Sequence, residues 1–479
     1  MVEKVMQQIE HVVLVMLENR SLDNVLGYLY GANERPKHVY PPGSPPAFDG
    51  LAGKDFEQSA YFFGEKIKYR VSPRPHRDAN PVPYWDPVEE LKKSGSWYGV
   101  MNQVFGTDKM IDRLPPDGTR PTMAGFLQDY VRDYMLVGKG SDICQTYPPE
   151  ELQALNWLAR EFGVSDAYFC SVPTQTNPNR AYSLCGTSLG RESNLQLDAV
   201  EKFQAKTLFN ALSDAGKSCG LYTHDVWQDR LSYTEYTFPW ISKVAGLHRA
   251  SVDGFYQLAQ TGQLPAFSYV EPKWGYGIEY DTSVQGWDMH PPTSVHPGDQ
   301  FLLKIYKVLR ASKKWDRTLL IVTFDEHGGT PDHVPPSWGA TNPDGLDGES
   351  GFKFNLFGVR VPMILASPYV AKETVFRSPT SVPFDHTSII KTLLLWAGAD
   401  PATANMGKRM PKAPTFDGVL SPTVVNRNAA EPAHQASVAG PLDALFEGIP
   451  AAATREILDR CKELPAITAA VELYRAEHP

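Results

Sequence analysis

Asp325, Glu326 and His327 follow directly on the apolar run Thr318–Phe324, TLLIVTF. Open α/β sheets bind and react at the carboxyl ends of their strands, so acid and imidazole side chains at such a junction are candidates for chemistry. The stretch Asp325–Pro336, DEHGGTPDHVPP, carries Asp325, Glu326, Asp332, His327 and His333, and its Gly and Pro residues exclude helix. Two other junctions deliver complementary groups. Glu18, Asn19 and Arg20 follow the run His11–Leu17, and Thr174, Thr176, Asn179 and Arg180 follow Val164–Cys170. Carboxylates, a side-chain amide and a hydroxyl are oxygen ligands suited to a divalent cation. A hydroxyl on such a cation becomes a usable nucleophile because the metal stabilises its alkoxide form. Arg20 and Arg180 suit two oxygens of a phosphate.

The elements that must position these groups alternate along the chain. Strands are expected at His11–Leu17, Val164–Cys170, Cys219–His224, Ala266–Glu271, Thr318–Phe324 and Val361–Ser367, each rich in β-branched or aromatic residues. Helical patterns lie at Glu150–Phe162, Thr207–Ala215, Asp299–Ala311 and Thr387–Trp396. This alternation predicts an α/β fold with a doubly wound, mostly parallel sheet between helices. Residues 1–400 read as one catalytic domain, in which 31–83, dense in Pro, Gly and aromatics, is a loop-rich insertion or lid. Residues 401–479 read as a linker followed by a helical region, Pro441–Glu477, packed on the core.

Composition narrows the function classes. The 479 residues, 42% hydrophobic and 21% charged, can bury one large core or two moderate ones. A formal charge of -9 with no long Lys/Arg run excludes nucleic acid as the expected partner. Cys144, Cys170, Cys185, Cys219 and Cys461 form no CxxC pair, so neither a zinc ribbon nor a disulfide framework is expected, and the thiols read as buried. The N-terminal apolar stretch is too short to span a bilayer and runs into ENR without a small-residue cleavage site, so it reads as a strand. No other segment approaches a membrane span. The default expectation is a cytoplasmic protein, with export by a route lacking a peptide signature left open.

Three motif readings compete. Ala215–Ser218 spell AGKS, but the leading glycine of a nucleotide-binding loop is Ala211 here, and the GKS precedes a strand instead of opening a helix. Gly186–Gly190, GTSLG, satisfy the pattern of a nucleophile elbow, with Asp325 and His386 downstream in the Ser, Asp, His order of a serine esterase using Ser188. That elbow needs a strand before and a helix after, and RESNLQLD is a poor helix start. The third reading joins the strand ends into an oxygen-rich metal site with a nucleophile and a phosphate clamp.

The third reading coincides with a resemblance. The segments ENRSLD (Glu18–Asp23), TNPNR (Thr176–Arg180), HPPTSVHPG (His290–Gly298), FDEHGGTPDHVPP (Phe324–Pro336), GVRVPMILASPYV (Gly358–Val370) and FDHTSIIKTLL (Phe384–Leu394) resemble, in order, the phosphoesterase family. That family includes bacterial phosphatidylcholine-type phospholipases C, acid phosphatases and plant non-specific phospholipases C. The resemblance implies an alkaline-phosphatase-like core. In it Glu18, Asn19, Asp325 and Glu326 match the metal positions, and Thr176 matches the nucleophile that also meets the metal. His290 and His333 match histidines near the leaving group or the phosphoryl oxygens; His386 matches too, with a less definite role. One divalent ion is implied, its identity open among calcium, magnesium, manganese and zinc.

Two departures from the family pattern stand out. Where many relatives carry Asp-Pro-Gly-His ahead of a Gln-x-x-Gly stretch, this chain has Asp86, Pro87, Val88 and Glu89 ahead of Gln103 and Gly106. Where plant members place a second histidine three residues after the first, it has Thr293, with His296 further along.

The expected activity is phospholipase C-type cleavage of a phospholipid or related phosphodiester through a phosphothreonine, with His290 or His333 protonating the alkoxide leaving group. The alternatives are an acid phosphatase acting on small phosphomonoesters, the Ser188 esterase, and a non-catalytic lipid-binding relative. Each residue also has a plainer reading. Asn19 and Arg20 suit a helix start, TQTNPNR suits a tight turn in which Thr174 rivals Thr176, and His386 suits a structural role at the head of its helix. Trp274, Trp287, Trp338 and Tyr276 are aromatics of long loops and read as packing. Oligomeric state is not legible.

Overall fold

Seven consecutive residues with no polar side chain exposed to water make Thr318–Phe324 a buried strand, and the same holds for most of His11–Leu17. In the computed structural model these two runs pair in parallel at the centre of a nine-stranded sheet. The structure describes residues 6–62, 64–73, 99–134, 142–194, 202–225, 231–275, 286–291, 293–348 and 350–427. In chain order the strands of this sheet are β1 (His11–Leu17), β2 (His38–Tyr40), β3 (Gly163–Ser165), β4 (Cys219–Thr223), β5 (His248–Ser251), β6 (Phe267–Val270), β7 (Thr318–Phe324), β8 (Met363–Ala366) and β9 (Thr374–Phe376). They lie side by side as β5-β4-β6-β1-β7-β8-β3-β9-β2. Only β8 runs antiparallel to its neighbours β7 and β3; the other pairings are parallel. The α/β, mostly parallel expectation is therefore met.

The helices that carry the argument are α1 (Leu22–Leu26), α2 (Gln153–Glu161), α3 (Thr176–Cys185), α4 (Leu208–Asp214), α5 (Val252–Thr261), α6 (His296–Ala311) and α7 (His386–Trp396). The four expected helices appear as α2, α4, α6 and α7, and α7 is started by Asp385, whose carboxylate accepts the Thr387 N–H. Among the helices not expected from the sequence, α1, α3 and α5, the one that bears on the site is α3. Its Pro178 reads as turn punctuation, yet it sits in the first helical turn, where the missing N–H has no partner to lose.

Other differences follow from local chemistry. The expected strand Val164–Cys170 splits after Ser165, because Asp166 turns out to receive Arg377 and the Asp49 N–H, and Tyr168–Phe169 pair separately with Phe384–Asp385. Within the expected insertion 31–83, His38–Tyr40 add β2 to the sheet edge beside β9. A hairpin of Glu57–Phe62 and Glu65–Arg70 packs Ala60, Ile67 and Tyr69 against Leu127 and Tyr130. Residues 401–427 are short turns whose Met410 and Phe416 join the main core. The expected helical tail Pro441–Glu477 lies outside the described residues. Cys144, Cys170, Cys185 and Cys219 are buried. Among the described residues no helix is long and apolar enough to cross a membrane.

Every side chain of β7 is packed on both faces of the sheet, so truncation there leaves a cavity that the sheet cannot collapse around. Ile321→Ala is expected to lower unfolding free energy by roughly 2–5 kcal/mol, measured by urea denaturation.

Candidate active site

The pairing of β1 with β7 builds the site. Leu17 stands opposite Phe324, so the next residues of both strands, Glu18 and Asp325, emerge side by side at the carboxyl edge of the sheet. Two buried carboxylates in contact repel each other and resist ionisation. Arg180, projecting from α3, offsets this: its Nε lies 3.0 Å from Glu18 Oε1 and 3.0 Å from Asp325 Oδ2, with Nη2 2.5 Å from Glu18 Oε1. All three side chains are almost wholly buried. Burial, then the Asp325 charge, still holds the Glu18 carboxyl well above its usual range. Arg180 also donates to the Tyr269 hydroxyl at 3.0 Å and stacks 4.9 Å from the Trp274 ring centre.

Asn19 takes a left-handed backbone, φ 60, which Asn tolerates better than most residues. Its N–H donates to Asp325 Oδ1 at 3.0 Å, which locks the two strand ends together. Gly328 lies against this turn, where any Cβ would collide with the Asn19 carbonyl. The amino end of α3 then brings Thr176 over the pair: Oγ1 stands 3.5 Å from Glu18 Oε2 and 3.4 Å from Asn19 Oδ1. Thr174, the rival hydroxyl, donates instead to the Glu192 carbonyl.

The structure thus gathers Glu18, Asn19, Thr176, Asp325 and Arg180. Their oxygens fit a hard divalent cation: they are carboxylate, amide and hydroxyl donors, and the two crowded carboxyls, which resist ionising together beside a single Arg180, would both ionise facing a second cation. Glu326 follows Asp325 but commits Oε2 to the Gly328 N–H at 2.7 Å and to His327 Nδ1 at 3.5 Å. Arg180, expected to clamp phosphate, is engaged by the carboxylates themselves. Arg20 does not reach the site as a phosphate clamp either. It is fully buried, donates Nε to the Met289 carbonyl at 2.9 Å and packs 5.6 Å from the Tyr147 ring centre.

The histidines divide. His290 sits beside Asn19, whose amide nitrogen is 2.9 Å from Nε2, while Nδ1 faces the Pro291 carbonyl. Burial lowers its pKa to about 4. His333 lies on the rim, with Nδ1 2.6 Å from Asp23 Oδ2 and Nε2 3.1 Å from Asp49 Oδ1. Burial opposes its charge, but the two carboxylates prevail and raise its pKa to about 9. His386 is structural: Nε2 meets the Asp325 carbonyl at 2.6 Å and Nδ1 the Tyr168 hydroxyl at 2.9 Å. His327, its pKa pushed to about 3 by burial, meets Gln103 Oε1 at 2.6 Å. Gln103 is thereby tied to the site through a buried imidazole; Asp86–Glu89 lie outside the described residues.

Asp23, Asp332 and His333 are the one carboxylate–imidazole group with metal-like spacing among the described residues. Arg360 already bridges the two carboxylates, at 3.0 Å from Asp23 Oδ1 and 2.9 Å from Asp332 Oδ1, so we read them as an ion-pair network. Asp49 and Lys54 of the insertion close around His333, a contribution that no spacing in the sequence signals. The Ser188 reading is overturned. GTSLG follows helix α3, with Gly186 as its C-cap, no strand leads into it, and Ser188 Oγ donates to the Arg191 carbonyl. Trp338 packs on Phe105 and Trp287 on Phe301, as packing aromatics do, and Tyr276 lies outside the described residues.

The fold and the site together define a hydrolytic enzyme with a buried Thr176 hydroxyl lined by oxygen donors. The chain belongs to the Phosphoesterase family, whose model matches residues 9–395. It is 32% identical over 397 residues to non-specific phospholipase C1 of Arabidopsis thaliana, covering 81% of this chain and 67% of that protein. Non-specific phospholipase C4 of the same plant is 30% identical over 424 residues, 86% and 72% of the two chains. Phospholipase C A of Mycobacterium tuberculosis is 26% identical over 415 residues, 80% and 72%. Among solved structures, a protein in the alkaline phosphatase superfamily from Vibrio parahaemolyticus aligns with 55% of this chain and 64% of its own at 13% identity and a TM-score of 0.33, too distant a likeness to reason from.

Removing Arg180 leaves Glu18 and Asp325 buried without their shared cation. Arg180→Met is expected to cost roughly 3–5 kcal/mol of stability, read by denaturant unfolding of the metal-free protein.

Proposed function

We propose that the protein is a metal-dependent phosphoester hydrolase that cleaves phospholipids, or closely related phosphodiesters, in phospholipase C fashion. The observation that carries this reading is the Thr176 hydroxyl, held at the start of α3 against the Glu18 and Asn19 oxygens. The names of the plant and mycobacterial relatives support the substrate class. Glu18, Asn19, Thr176 and Asp325 would hold the ion, joined by Glu326 through Oε1, the oxygen other than the one that accepts the Gly328 N–H. A bound divalent cation supplies the charge that lets the Thr176 hydroxyl react as its alkoxide. Calcium, magnesium, manganese and zinc all accept such oxygens.

The two histidines take opposite proton states, and groups pushed apart in this way divide acid from base. His333 holds an extra proton between Asp23 and Asp49, against the opposing charge of Lys54 and Arg360, and donates it to the leaving alcohol. His290 keeps its proton on Nδ1, toward the Pro291 carbonyl, and presents the Nε2 lone pair on the Asn19 side. In the first step Thr176 loses its proton to solvent, Oγ1 bonds to phosphorus, and the bond to the alcohol oxygen breaks as that oxygen takes the His333 proton. In the second step a water oxygen bonds to phosphorus while its proton passes to His290 Nε2. The Oγ1–phosphorus bond then breaks and His290 returns the proton to Oγ1.

The test is a metal-depleted and metal-restored assay on a chromogenic phosphomonoester, its phosphocholine diester and phosphatidylcholine in parallel. Metal-dependent turnover of both diesters is expected; turnover of the monoester alone would make the protein an acid phosphatase. Thr176→Ala is expected to lower turnover by roughly a thousandfold or more. The acid role of His333 needs its proton, so activity on alkyl esters should fall as pH rises through about 9. Removing the Asp23 charge lowers that pKa, so Asp23→Asn should move the alkaline limb of kcat down toward about 6.5.

A further inference from the structure

Met289 has φ 68, a left-handed backbone that a non-glycine residue adopts only when its surroundings enforce it, and its side chain is completely buried. Four bonds enforce it. Asp288 Oδ1 accepts the His290 N–H at 3.1 Å, and Asp288 Oδ2 accepts the Gly275 N–H at 2.7 Å. The Asp288 carbonyl accepts the Glu18 N–H at 2.8 Å, and Arg20 Nε donates to the Met289 carbonyl at 2.9 Å. The flanks are fixed as well. Trp287 N–H donates to the Lys273 carbonyl at 2.7 Å, and Gly286 lies so close to Gly275 that neither position has room for a side chain. Thr293 donates both its N–H and its hydroxyl to the His290 carbonyl, at 2.9 Å and 2.6 Å.

We infer that Asp288 and Arg20 are positioning residues that hold this strained turn and thereby aim the His290 imidazole at the Thr176 site. The inference rests on the reading of His290 as the base of the second step. It gives Arg20 a task other than clamping phosphate. It also explains why a carboxylate stands at 288: two N–H groups from two segments point at its two oxygens, and an Asn side chain would turn an N–H₂ toward one of them. The bond from the Glu18 N–H to the Asp288 carbonyl is made by backbone alone, so it outlasts a change of the Asp288 side chain and keeps the strand end that carries the nucleophile's partners in place.

The base acts after the leaving group has gone, which gives the role a signature that general loosening of the fold lacks. With p-nitrophenyl phosphorylcholine in stopped flow, Asp288→Asn and Arg20→Gln should each lower steady-state turnover about tenfold, as loss of an orienting partner typically does. The first release of p-nitrophenolate should stay at the wild-type rate, so that a burst of about one equivalent per enzyme appears, as it should for His290→Ala. Thermal unfolding confirms that each variant is folded; should Asp288→Asn fail to fold, Arg20→Gln reads the same turn from the other side. A folded variant that turns over as fast as wild type, or that slows the burst and the steady state alike, would overturn the inference. If His290→Ala itself showed wild-type kinetics, the base role of His290 would fall, whatever the two positioning variants do.

Discussion

The register between His11–Leu17 and Thr318–Phe324 is the constraint on which the site depends. Parallel pairing places Leu17 opposite Phe324, so Glu18 and Asp325 must emerge together into a space from which water is excluded. A slip of one residue would turn each strand's side chains to the other face and separate the carboxylates. Their repulsion is the cost of that register. Arg180 lies between them and lowers it, and a metal ion would lower it further.

The surrounding architecture distributes the remaining tasks by burial. His290, His327 and His386 are enclosed, and burial drives all three toward the neutral form. His386 props the Asp325 carbonyl and His327 ties in Gln103, so two imidazoles that look chemical in sequence serve the geometry of the strand end. His333 differs because the insertion reaches it. Asp49 and Lys54 belong to that insertion, and they give the rim of the site a charged histidine.

Much of this was legible in the sequence wherever a physical pattern is local. The two central strands were read to their end residues, because a run of apolar β-branched side chains ending in charge suits a buried strand and little else. The helix that presents Thr176 was not, since Pro178 is a breaker inside a helix and harmless in its first turn, and only position tells the two apart. The edge strand His38–Tyr40 is too short to show a period, and the split after Ser165 depends on Arg377, far away in the chain. The arginines were read by what a guanidinium can bind. What each does bind was decided by tertiary neighbours: the Glu18–Asp325 pair for Arg180 and the Met289 turn for Arg20.

The proposed reaction turns on Thr176 carrying the phosphoryl group between its two steps. Rapid acid quench of the metal-loaded enzyme during turnover of a phosphodiester, followed by peptide mapping, measures this directly. Phosphate, with its headgroup still attached, is expected on the peptide that contains Thr176, and is expected to be lost when the metal is removed. Phosphate on any other residue, or metal-dependent turnover with no covalent species on a chain that keeps Thr176, would contradict it.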